Sequence, residues 1–485
     1  MPEATSDLPA TWESVTSLLE SAEFATGVLP AMLRSARWFG GKAHPLREVR
    51  AVAFLPVGDT DAGRLILIEA HYTNRSPETY ILPVQLAPEA PVNAPVIARL
   101  NGGFLFDALH DARFREALFN LILHEKSVRA GDGEIAGIRG AALSAVASEM
   151  ASPLDSKALA AEQSNSAIVY GDRFFLKLYR KPEPGENPDA ELIRFLSERR
   201  GFAHVPAFCG AIEHRPARGS SRTLALLVAN VASEGDAWAF TLAHLHDDGY
   251  PARARQLGQR TAEMHLALAA DLEDAAFAPE PFTTHEQLAL CDSARAATRQ
   301  TMELLGKKLA QIPDAHRPDV AALIAREEEI LARLSTLEQR EIIATKTRHH
   351  GDYHLGQVLN TGSDFVIIDF EGEPARALAE RRMKRSPLRD VAGMLRSFHY
   401  AAHSVHEPAE AWAQNTSRLF LEAWLAAAKG ASFIPEDPRA LDALLEIHLL
   451  EKAIYEIDYE LNHRPDWVFI PVRGVLQILD DAATS

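Results

Sequence analysis

The chain has 485 residues, and its 50 Lys and Arg against 67 Asp and Glu give a formal net charge of −17. Binding to a phosphate backbone depends on clustered positive charge, so this acidic balance excludes a generic nucleic-acid-binding protein. A composition that is 47% hydrophobic and 24% charged excludes disorder of the whole chain. At roughly 100 to 200 residues per domain, we expect two or three folding units.

The cysteines and the N-terminal segment indicate the cellular compartment. Cys209 and Cys291 are too few for a disulfide framework or a thiolate metal site in a chain of this size. The N-terminus lacks the basic start and apolar core of a signal peptide, and no run of about 18 apolar residues occurs. We therefore expect a cytoplasmic protein that is not inserted in a membrane.

The first part of the chain, residues 1–105, predicts a small α+β unit. Strand-type residues alternate over 50–54, 64–72 and 79–86, between turns marked by Gly, Pro, Asn and Asp. The segment RWFGGK at 37–42 combines two aromatic rings with a glycine pair, which is typical of a packed turn.

A second β-rich unit is predicted over residues 106–233, beginning with a helix near 107–125. Residues 167–170 and 174–179 predict a hairpin that turns at Gly171 and Asp172. The second strand of this hairpin has the sequence FFLKLY, which places Lys177 among apolar neighbours. A proline-rich connector then leads to a predicted helix at 189–199 and a third strand at 223–228.

The remainder of the chain, residues 234–485, is predicted to be mainly helical after a polar hinge at 233–236. Apolar residues recur at three- and four-residue spacing over 252–270 and 291–338. We expect His265, within the first of these stretches, to be a hydrogen-bonded core histidine rather than a metal ligand. The basic residues of 381–389 are flanked by acidic ones, which favours a solvated helix entrance.

The chemistry is carried by the segment HGDYHLGQVL at 350–359 and by the apolar run that ends at Asp369. A carboxylate in a loop, here Asp352, can accept the proton of a substrate hydroxyl. An amide five residues later, Gln357, and a second carboxylate beyond the strand, Asp369, are oxygen ligands suited to Mg²⁺ that bridges nucleotide phosphates. Each residue taken singly is more often structural, but their order is that of base, amide ligand and metal carboxylate in kinase-type phosphoryl transfer.

These segments resemble the aminoglycoside phosphotransferase-like branch of the protein-kinase fold, and within it the maltokinases, which phosphorylate maltose to maltose 1-phosphate with ATP. Further matching segments are DFEGEP at 369–374, SPLRDVAGMLRSF at 386–398, RWFGGK at 37–42, EQSNS at 162–166 and YELNHRPDW at 459–467. The resemblance implies an α+β, bilobal protein-kinase-like fold. Its parts would be an N-terminal cap subdomain (1–105), a β-rich nucleotide-binding subdomain (106–233) and a helical C-terminal lobe (234–485).

The resemblance also implies roles for residues of the helical lobe. Asp352 would be the base that orients and deprotonates the sugar hydroxyl, and Gln357 and Asp369 would be the Mg²⁺ ligands. Asp390, at the start of an amphipathic helix, is expected to cap or brace the loop that carries Asp352 rather than to react.

The nucleotide is expected to contact the β-rich subdomain. Lys177 is similar to the kinase lysine that contacts the nucleotide phosphates, and Glu191 is expected to be its acidic partner, with Glu198 as the alternative. No Gly-rich loop precedes the lysine strand. Backbone N–H groups and short side chains would cradle the phosphates there instead, from the residues Gln163, Ser164, Asn165 and Ser166.

The sugar is expected on the helical lobe, facing Asp352. Sugar hydroxyls and apolar ring faces call for acids, amides, arginines and aromatic platforms. The candidates by this logic are His354, Glu371, Arg389, Tyr455, Asn462, Arg464 and Trp467. Because the spacing of Tyr455, Tyr459 and Asn462 is helical, some of these residues must be core packing instead.

The sequence therefore predicts an ATP- and Mg²⁺-dependent kinase for maltose. The resemblance implies that the product feeds α-glucan (glycogen) synthesis from trehalose-derived maltose, and suggests association with a trehalose synthase. One alternative is a kinase for another sugar, especially glucosamine, whose ammonium group would need carboxylates. Another is a non-catalytic pseudokinase or assembly subunit, which predicts the loss of Lys177, Asp352 or Asp369, and all three are present.

Overall fold

The computed structural model describes residues 4–58, 62–150, 154–159, 164–405 and 409–481. The chain divides into two compact units. The first contains Met1–Gly201 and Pro206–Val231, and the second contains Phe202–Val205 and Ala232–Ser485. The subdomain limits after residues 105 and 233 stay predictions.

The first unit begins with a six-stranded sheet. Its strands are β1 (Ala4–Pro9), β2 (Leu46–Pro56), β3 (Arg64–Tyr72), β4 (Glu78–Ala87), β5 (Val96–Asn101) and β6 (Gly103–Asp107). They are ordered β1-β5-β6-β4-β3-β2, and β1 and β5 are parallel whereas the other neighbours are antiparallel. Helices α1 (Trp12–Leu19) and α2 (Leu29–Ser35), joined through a π-helical turn at Phe24–Val28, share a buried core with this sheet.

A second, seven-stranded antiparallel sheet completes the first unit. Its strands are β7 (Ser127–Ala130), β8 (Gly133–Arg139), β9 (Ser156–Ala158), β10 (Ser166–Tyr170), β11 (Phe174–Leu178), β12 (Phe208–Arg215) and β13 (Arg222–Ala229). They are ordered β7-β8-β12-β13-β11-β10-β9. The predicted hairpin is confirmed, because β10 and β11 pair around Gly171, which has the positive φ of 58° that this turn requires.

This unit also contains three α-helices and a second π-helical turn. They are α3 (Ala112–Leu123), α4 (Ala141–Val146), α5 (Pro188–Arg194) and a π-helical turn at Phe195–Arg199. Phe114 on α3 belongs to one buried cluster with Leu67 of the first sheet and Ile168 of the second. The two sheets therefore share a core.

Arg180, just after β11, adds a polar contact between the two sheets. Its guanidinium is 2% exposed and lies 4.7 Å from the ring of Trp38 in the RWFGGK segment. Nη1 donates to the backbone O of Ile81 (3.2 Å) and Nε donates to Ser166 Oγ (2.7 Å). The RWFGGK segment is thus a packed turn, as its composition predicts.

The second unit is mainly helical. Its helices are α6 (Ala237–His244), α7 (Tyr250–Ala269), α8 (Thr284–Lys308), α9 (Arg317–Ala325), α10 (Glu327–Glu338), α11 (Leu378–Arg381), α12 (Leu388–His403), α13 (Glu410–Ala427), α14 (Pro438–His463) and α15 (Phe469–Asp481). The helical stretch predicted over 291–338 falls into three helices. Pro313 prevents α8 from continuing, Pro318 lies in the first turn of α9, and α9 and α10 are separated at Arg326. None of the helices in the described ranges has the length and apolarity needed to cross a membrane.

Two small strand pairs complete the second unit. They are β14 (Glu280–Pro281) with β15 (Thr345–Lys346), and β16 (Val358–Asn360) with β17 (Phe365–Ile367), both antiparallel. The second pair is a hairpin, which residues 350–357 precede and Asp369 follows.

Gly41 in the RWFGGK segment provides a test of packing in the first unit. A Cβ at this position would lie 2.0 Å from the Tyr72 hydroxyl and 2.6 Å from the Phe39 ring. We expect Gly41→Ala to lower the free energy of unfolding by about 1–3 kcal/mol, because a buried neighbour must move. The midpoint of thermal unfolding measures the effect.

Gly27→Ala is the matched control, since a Cβ there meets no atom within 4 Å. This variant should keep the wild-type midpoint or raise it slightly, as alanine is the better helix former. Equal midpoints for the two variants would contradict the packing described for Gly41.

Candidate active site

Asp352 lies in the HGD loop (residues 350–354), which precedes a 3₁₀ turn at Leu355–Gln357. Its Oδ1 accepts a hydrogen bond from Lys452 Nζ on α14 at 3.1 Å. The side chain of Asp352 is 25% exposed, so a ligand has access to it.

The HGD loop is held by one buried carboxylate on α12. The backbone N–H groups of His350 and Gly351 donate to Asp390 Oδ2 and Oδ1, at 2.7 and 2.9 Å. His265 Nε2 lies 3.0 Å from Oδ2 of the same carboxylate, and Asp390 is 1% exposed. The expectation that Asp390 braces this loop is confirmed.

The tautomer of His265 follows from its second neighbour. Trp424 Nε1, which can only donate, lies 3.0 Å from His265 Nδ1. Nδ1 is therefore the acceptor, and the proton on Nε2 is donated to Asp390. His265 is a buried, hydrogen-bonded core histidine, as expected. Burial opposes the charge of Asp390, but the hydrogen bond from His265 and the neighbouring histidines hold the pKa of this carboxyl well below its usual range.

The HGD loop is also fixed to the β16–β17 hairpin. The Asp352 N–H donates to His350 Nδ1 at 3.3 Å, so the proton of the His350 ring is on Nε2. Nε2 donates to the backbone O of Ile368 at 2.9 Å, directly before Asp369. The HGD loop also lies close to α12. This approach requires a glycine at position 393, because a Cβ there would lie 2.5 Å from the Tyr353 carbonyl oxygen.

The two predicted metal ligands are neighbours across this hairpin. Ile368 N–H donates to the backbone O of Gln357 at 3.0 Å, and Asp369 follows at once. Asp369 has φ 67°, in the left-handed region that aspartate tolerates better than most residues. Among the described residues, none hydrogen-bonds the side-chain amide of Gln357. An amide oxygen and a carboxylate so placed suit a hard cation such as Mg²⁺, although their role as ligands stays a prediction.

A narrow cleft, the Asp352 cleft, lies beside the base candidate within the second unit. Its walls include Asp352, Glu373, Arg376, Arg389, His448, Glu451, Lys452 and Tyr455. Arg389 Nη1 donates to both oxygens of Glu451 at 2.9 Å, and Nη2 donates to both oxygens of Glu373 at 3.2 Å. The charged side chains of the cleft therefore form one connected network.

The network sets the protonation of its members. Burial would raise the pKa of Glu373, but Lys452, Arg389 and Arg376 lower it to about 2. Burial would lower the pKa of Lys452, but the carboxylates of Asp352 and Glu373 raise it above its usual range. Glu373 is thus a carboxylate and Lys452 an ammonium at neutral pH.

Two of the seven predicted sugar-site residues, Arg389 and Tyr455, line the Asp352 cleft. The described lining does not include His354, Glu371, Asn462, Arg464 or Trp467. His354 Nδ1 accepts the N–H of Gly356 (3.1 Å) and the backbone O of Glu371 accepts from Arg381 (3.0 Å).

The other three candidates lie at the end of α14 and just beyond it. Asn462 Oδ1 accepts from Lys308 Nζ at 2.9 Å. Arg464 pairs with Glu460 at 2.7 Å and lies 4.8 Å from the Trp467 ring. Contact of all seven candidates with a sugar stays a prediction.

Sequence reasoning missed the residues of α14 that enclose Asp352. His448 lies three and four residues before Glu451 and Lys452, and Tyr455 lies three and four residues after Lys452 and Glu451, so the four share one face of the helix. A polar face of this kind on a helix with many buried residues is the signal that would have found them. Only Tyr455 was predicted.

In the first unit, the acidic partner recorded for Lys177 is Asp189. Lys177 Nζ lies 2.9 Å from Asp189 Oδ2, to which the Tyr179 hydroxyl also donates at 3.1 Å. Asp189 is in the first turn of α5, two residues before the buried Glu191. Pairing of Lys177 with Glu191 stays a prediction. The alternative, Glu198, accepts the Ala141 N–H at 2.6 Å.

The predicted phosphate-binding segment is partly engaged with Arg180. Asn165 Oδ1 accepts the Arg180 backbone N–H at 3.2 Å, and Ser166 Oγ accepts from its side chain. Ser164 is exposed, and Gln163 lies outside the described residues. Phosphate binding by this segment stays a prediction.

The interpretation of residues 381–389 as a solvated helix entrance is wrong. The Lys384 and Arg389 side chains are only 7% and 11% exposed. The acids that neutralise them are distant in sequence: Glu280 lies 2.7 Å from Lys384, and Glu451 lies 2.9 Å from Arg389. The acidic residues that neighbour these cations in the sequence therefore do not predict their partners or their burial.

Comparison with known proteins adds three findings. Residues 33–111 match the maltokinase N-terminal cap domain. Glucosamine kinase of Streptacidiphilus jiangxiensis is 27% identical over 341 residues, which cover 66% of this chain and 72% of the relative. Glucosamine kinase of Mycolicibacterium smegmatis is 26% identical over 343 residues, which cover 67% of this chain and 79% of the relative.

Two solved structures have the same fold. Glucosamine kinase in crystal form B aligns with a TM-score of 0.67 and 19% identity, over 97% of this chain and 100% of that chain. Glucosamine kinase in complex with glucosamine, ADP and inorganic phosphate aligns with a TM-score of 0.64 and 20% identity, over 97% and 99%. The predicted α+β, protein-kinase-like fold with an N-terminal cap, a β-rich part and a helical part is confirmed.

The contact of Asp390 with the HGD loop predicts a pH-dependent stability. Because the folded pKa of Asp390 is depressed, its stabilisation is complete above the unfolded value, about 3.9, and is lost as pH falls towards the folded pKa. At pH 7 we expect Asp390→Asn to lower the free energy of unfolding by about 2–4 kcal/mol. Urea unfolding between pH 7 and pH 3.5 measures this difference.

Below about pH 4 the difference between the wild type and Asp390→Asn should narrow, since the wild-type carboxylate begins to lose its advantage. Asp442→Asn, at an exposed position on α14, is the matched control and should follow the wild type. A difference that is constant from pH 7 to pH 3.5 would show that Asp390 is not the depressed carboxyl.

Proposed function

We propose that this chain is an ATP- and Mg²⁺-dependent sugar kinase and that it phosphorylates maltose to maltose 1-phosphate. The observation that carries the proposal is the double anchoring of the HGD loop, by Asp390 to its backbone and by His350 to Ile368. A carboxylate and two oxygen ligands are thereby held in one segment, and phosphoryl transfer depends mainly on such positioning. The cap match and the names of the relatives support a sugar as the acceptor.

Each residue has a defined part in the proposed reaction. Asp352 accepts the proton of the anomeric hydroxyl, and its hydrogen bond from Lys452 holds the carboxylate in position. Gln357 and Asp369 would hold Mg²⁺, which when bound supplies charge neutralisation at the nucleotide phosphates. Lys177, oriented by Asp189, donates to those phosphates.

The charges of the Asp352 cleft favour a neutral acceptor. Its three carboxylates outside the α12 anchor, those of Asp352, Glu373 and Glu451, are matched by the cations Arg376, Arg389 and Lys452. The Lys452 ammonium is already 3.1 Å from Asp352, where a substrate ammonium would have to bind. A substrate ammonium bound to Asp352 would lie close to the Lys452 ammonium, and the two positive charges would repel each other. Maltose, which is neutral, therefore fits better than protonated glucosamine.

Glucosamine is the second candidate acceptor, because both relatives named above are glucosamine kinases. A non-catalytic assembly subunit is disfavoured by the presence of Lys177, Asp352 and Asp369. By resemblance to maltokinases, we propose further that the product enters α-glucan synthesis and that the chain associates with a trehalose synthase.

Replacement of the proposed base tests the reaction. Purified protein with ATP and Mg²⁺ should form ADP when maltose is added, and Asp352→Asn should lower kcat by about 10²- to 10⁴-fold. Nucleotide affinity should change little, since the amide keeps the size of the side chain. Asp442→Asn is the control with full activity. ADP formation that does not depend on maltose, or that survives in Asp352→Asn, would contradict the mechanism.

Replacement of Lys452 tests the choice of acceptor. Lys452→Gln removes the ammonium beside Asp352 and leaves a hydrogen-bond donor. We expect the ratio of kcat/KM for glucosamine to that for maltose to rise about tenfold or more, as like-charge repulsion at about 4 Å amounts to a few kcal/mol near a protein surface. Steady-state kinetics with both sugars measures the ratio.

Lys429→Gln, at an exposed position after α13, removes the same charge elsewhere and should keep the wild-type ratio. An unchanged ratio in Lys452→Gln would show that Lys452 does not select against an amino sugar.

A further inference from the structure

A large cavity in the second unit adjoins the Asp352 cleft. It has a volume of about 780 Å³, which is within the range of small-molecule sites. Arg376, His448 and Glu451 line both the cavity and the cleft. We call it the basic cavity because of the side chains that form its walls.

Basic residues outnumber acidic ones in the basic cavity, six to four, in a chain whose net charge is −17. The basic residues are Lys346, Arg348, Arg376, Arg382, Lys384 and Arg385. The acidic residues are Glu280, Glu286, Glu380 and Glu451. The wall of this cavity is therefore more basic than the chain as a whole.

The four carboxylates already have cationic partners. Lys346 pairs with Glu280 at 3.0 Å and also with Glu286. Lys384 pairs with Glu280 at 2.7 Å. Glu451 and Glu380 lie 3.6 and 4.0 Å from Arg376. None of these four carboxylates lies at ion-pair distance from the Arg385 guanidinium.

Arg385 is held in place by its backbone, and its guanidinium forms no ion pair with a described residue. Its backbone N–H and O exchange hydrogen bonds of 2.9 Å with Thr347, so the segment is held in place. In the described part of the chain, its guanidinium has no carboxylate at ion-pair distance, and its recorded side-chain contact is with Met383 Sδ at 3.9 Å. Burial and the like charges of Arg389 and Arg376 lower the pKa of Arg385, and the more distant carboxylates of Glu451 and Glu380 offset part of this effect.

His448 adds a second unpartnered group. It is 4% exposed, and its Nδ1 lies 3.4 Å from Glu451 Oε2, so the proton is on Nδ1. Within the described chain its buried Nε2 has no hydrogen-bond partner. In this tautomer Nε2 accepts a hydrogen bond, which a hydroxyl group of a ligand supplies.

We propose that the basic cavity binds a phosphate dianion, free or carried by a sugar, with Arg385 as its principal cation. An anion suits a wall in which basic side chains outnumber acidic ones. The planar guanidinium donates to two phosphate oxygens at once, which makes arginine the preferred residue for this contact. A P–OH group or a sugar hydroxyl is the donor for His448. The proposal does not depend on the kinase activity.

Calorimetric titration of the full-length protein with inorganic phosphate tests the site without nucleotide, sugar or metal. Ionic strength is held constant with sodium chloride. We expect one phosphate to bind to the wild type, and Arg385→Gln to weaken binding at least tenfold. Arg418→Gln is the control, since Arg418 is an exposed arginine on α13, 56% accessible, and it should bind like the wild type.

Lys177→Met separates this site from the proposed nucleotide site. Unchanged phosphate binding in Lys177→Met, with loss in Arg385→Gln, supports the proposal. Loss in Lys177→Met alone, equal binding by Arg385→Gln and the wild type, or no binding at all overturns it. Failure of the kinase proposal would instead appear as absent turnover and would leave this titration unaffected.

Two measurements guard against a folding defect in Arg385→Gln. Arg385→Lys keeps the charge and should retain most of the affinity. Wild-type crystals soaked with tungstate should show the anion beside Arg385, and density elsewhere only would overturn the proposal. Titration with glucose 1-phosphate then identifies the source: at least tenfold tighter binding than inorganic phosphate indicates a sugar phosphate, and equal affinity indicates free phosphate.

Discussion

The carboxylate of Asp390 is the contact on which the site in the helical unit depends. It accepts hydrogen bonds from the N–H groups of two successive residues of the HGD loop, and its Oδ2 also accepts a hydrogen bond from His265. A carboxylate that is 1% exposed would be costly without these donors. Because Trp424 fixes the tautomer of His265, the direction of each hydrogen bond from Trp424 through His265 to Asp390 is determined.

From this anchor, order extends in two directions. The hydrogen bond from His350 to the Ile368 carbonyl ties the HGD loop to the end of the β16–β17 hairpin. Asp352 and Asp369 are therefore held in connected segments. On the other side, the network of Arg389, Glu373 and Lys452 encloses Asp352 with matched charges. The electrostatic environment of Asp352 is set by α14, a helix far from it in sequence.

The sequence predicted those features that depend on local patterns. Alternation predicted β3 to the residue and the hairpin that carries Lys177, and the order of Asp352, Gln357 and Asp369 predicted a polar loop followed by a strand. The features it missed are long-range pairings. The pairing of Lys177 with Asp189 depends on how α5 begins, and the pairing of Lys384 with Glu280 joins segments about a hundred residues apart. Spacing along the chain carries no information on such contacts, except where they repeat on one helical face, as on α14.

The buried Arg180 has a consequence for how the first unit is built. Its guanidinium is held by the Trp38 ring and the Ile81 carbonyl on one side and by Ser166 on the other, and α3 joins the two sheets through a common core. A chain shortened to begin after residue 105 would expose that core and would remove the Trp38 ring and the Ile81 carbonyl from the buried cation. The N-terminal sheet is thus not a detachable module appended to a finished domain. Transplanting or removing it would require a redesigned surface on the strand that carries Lys177.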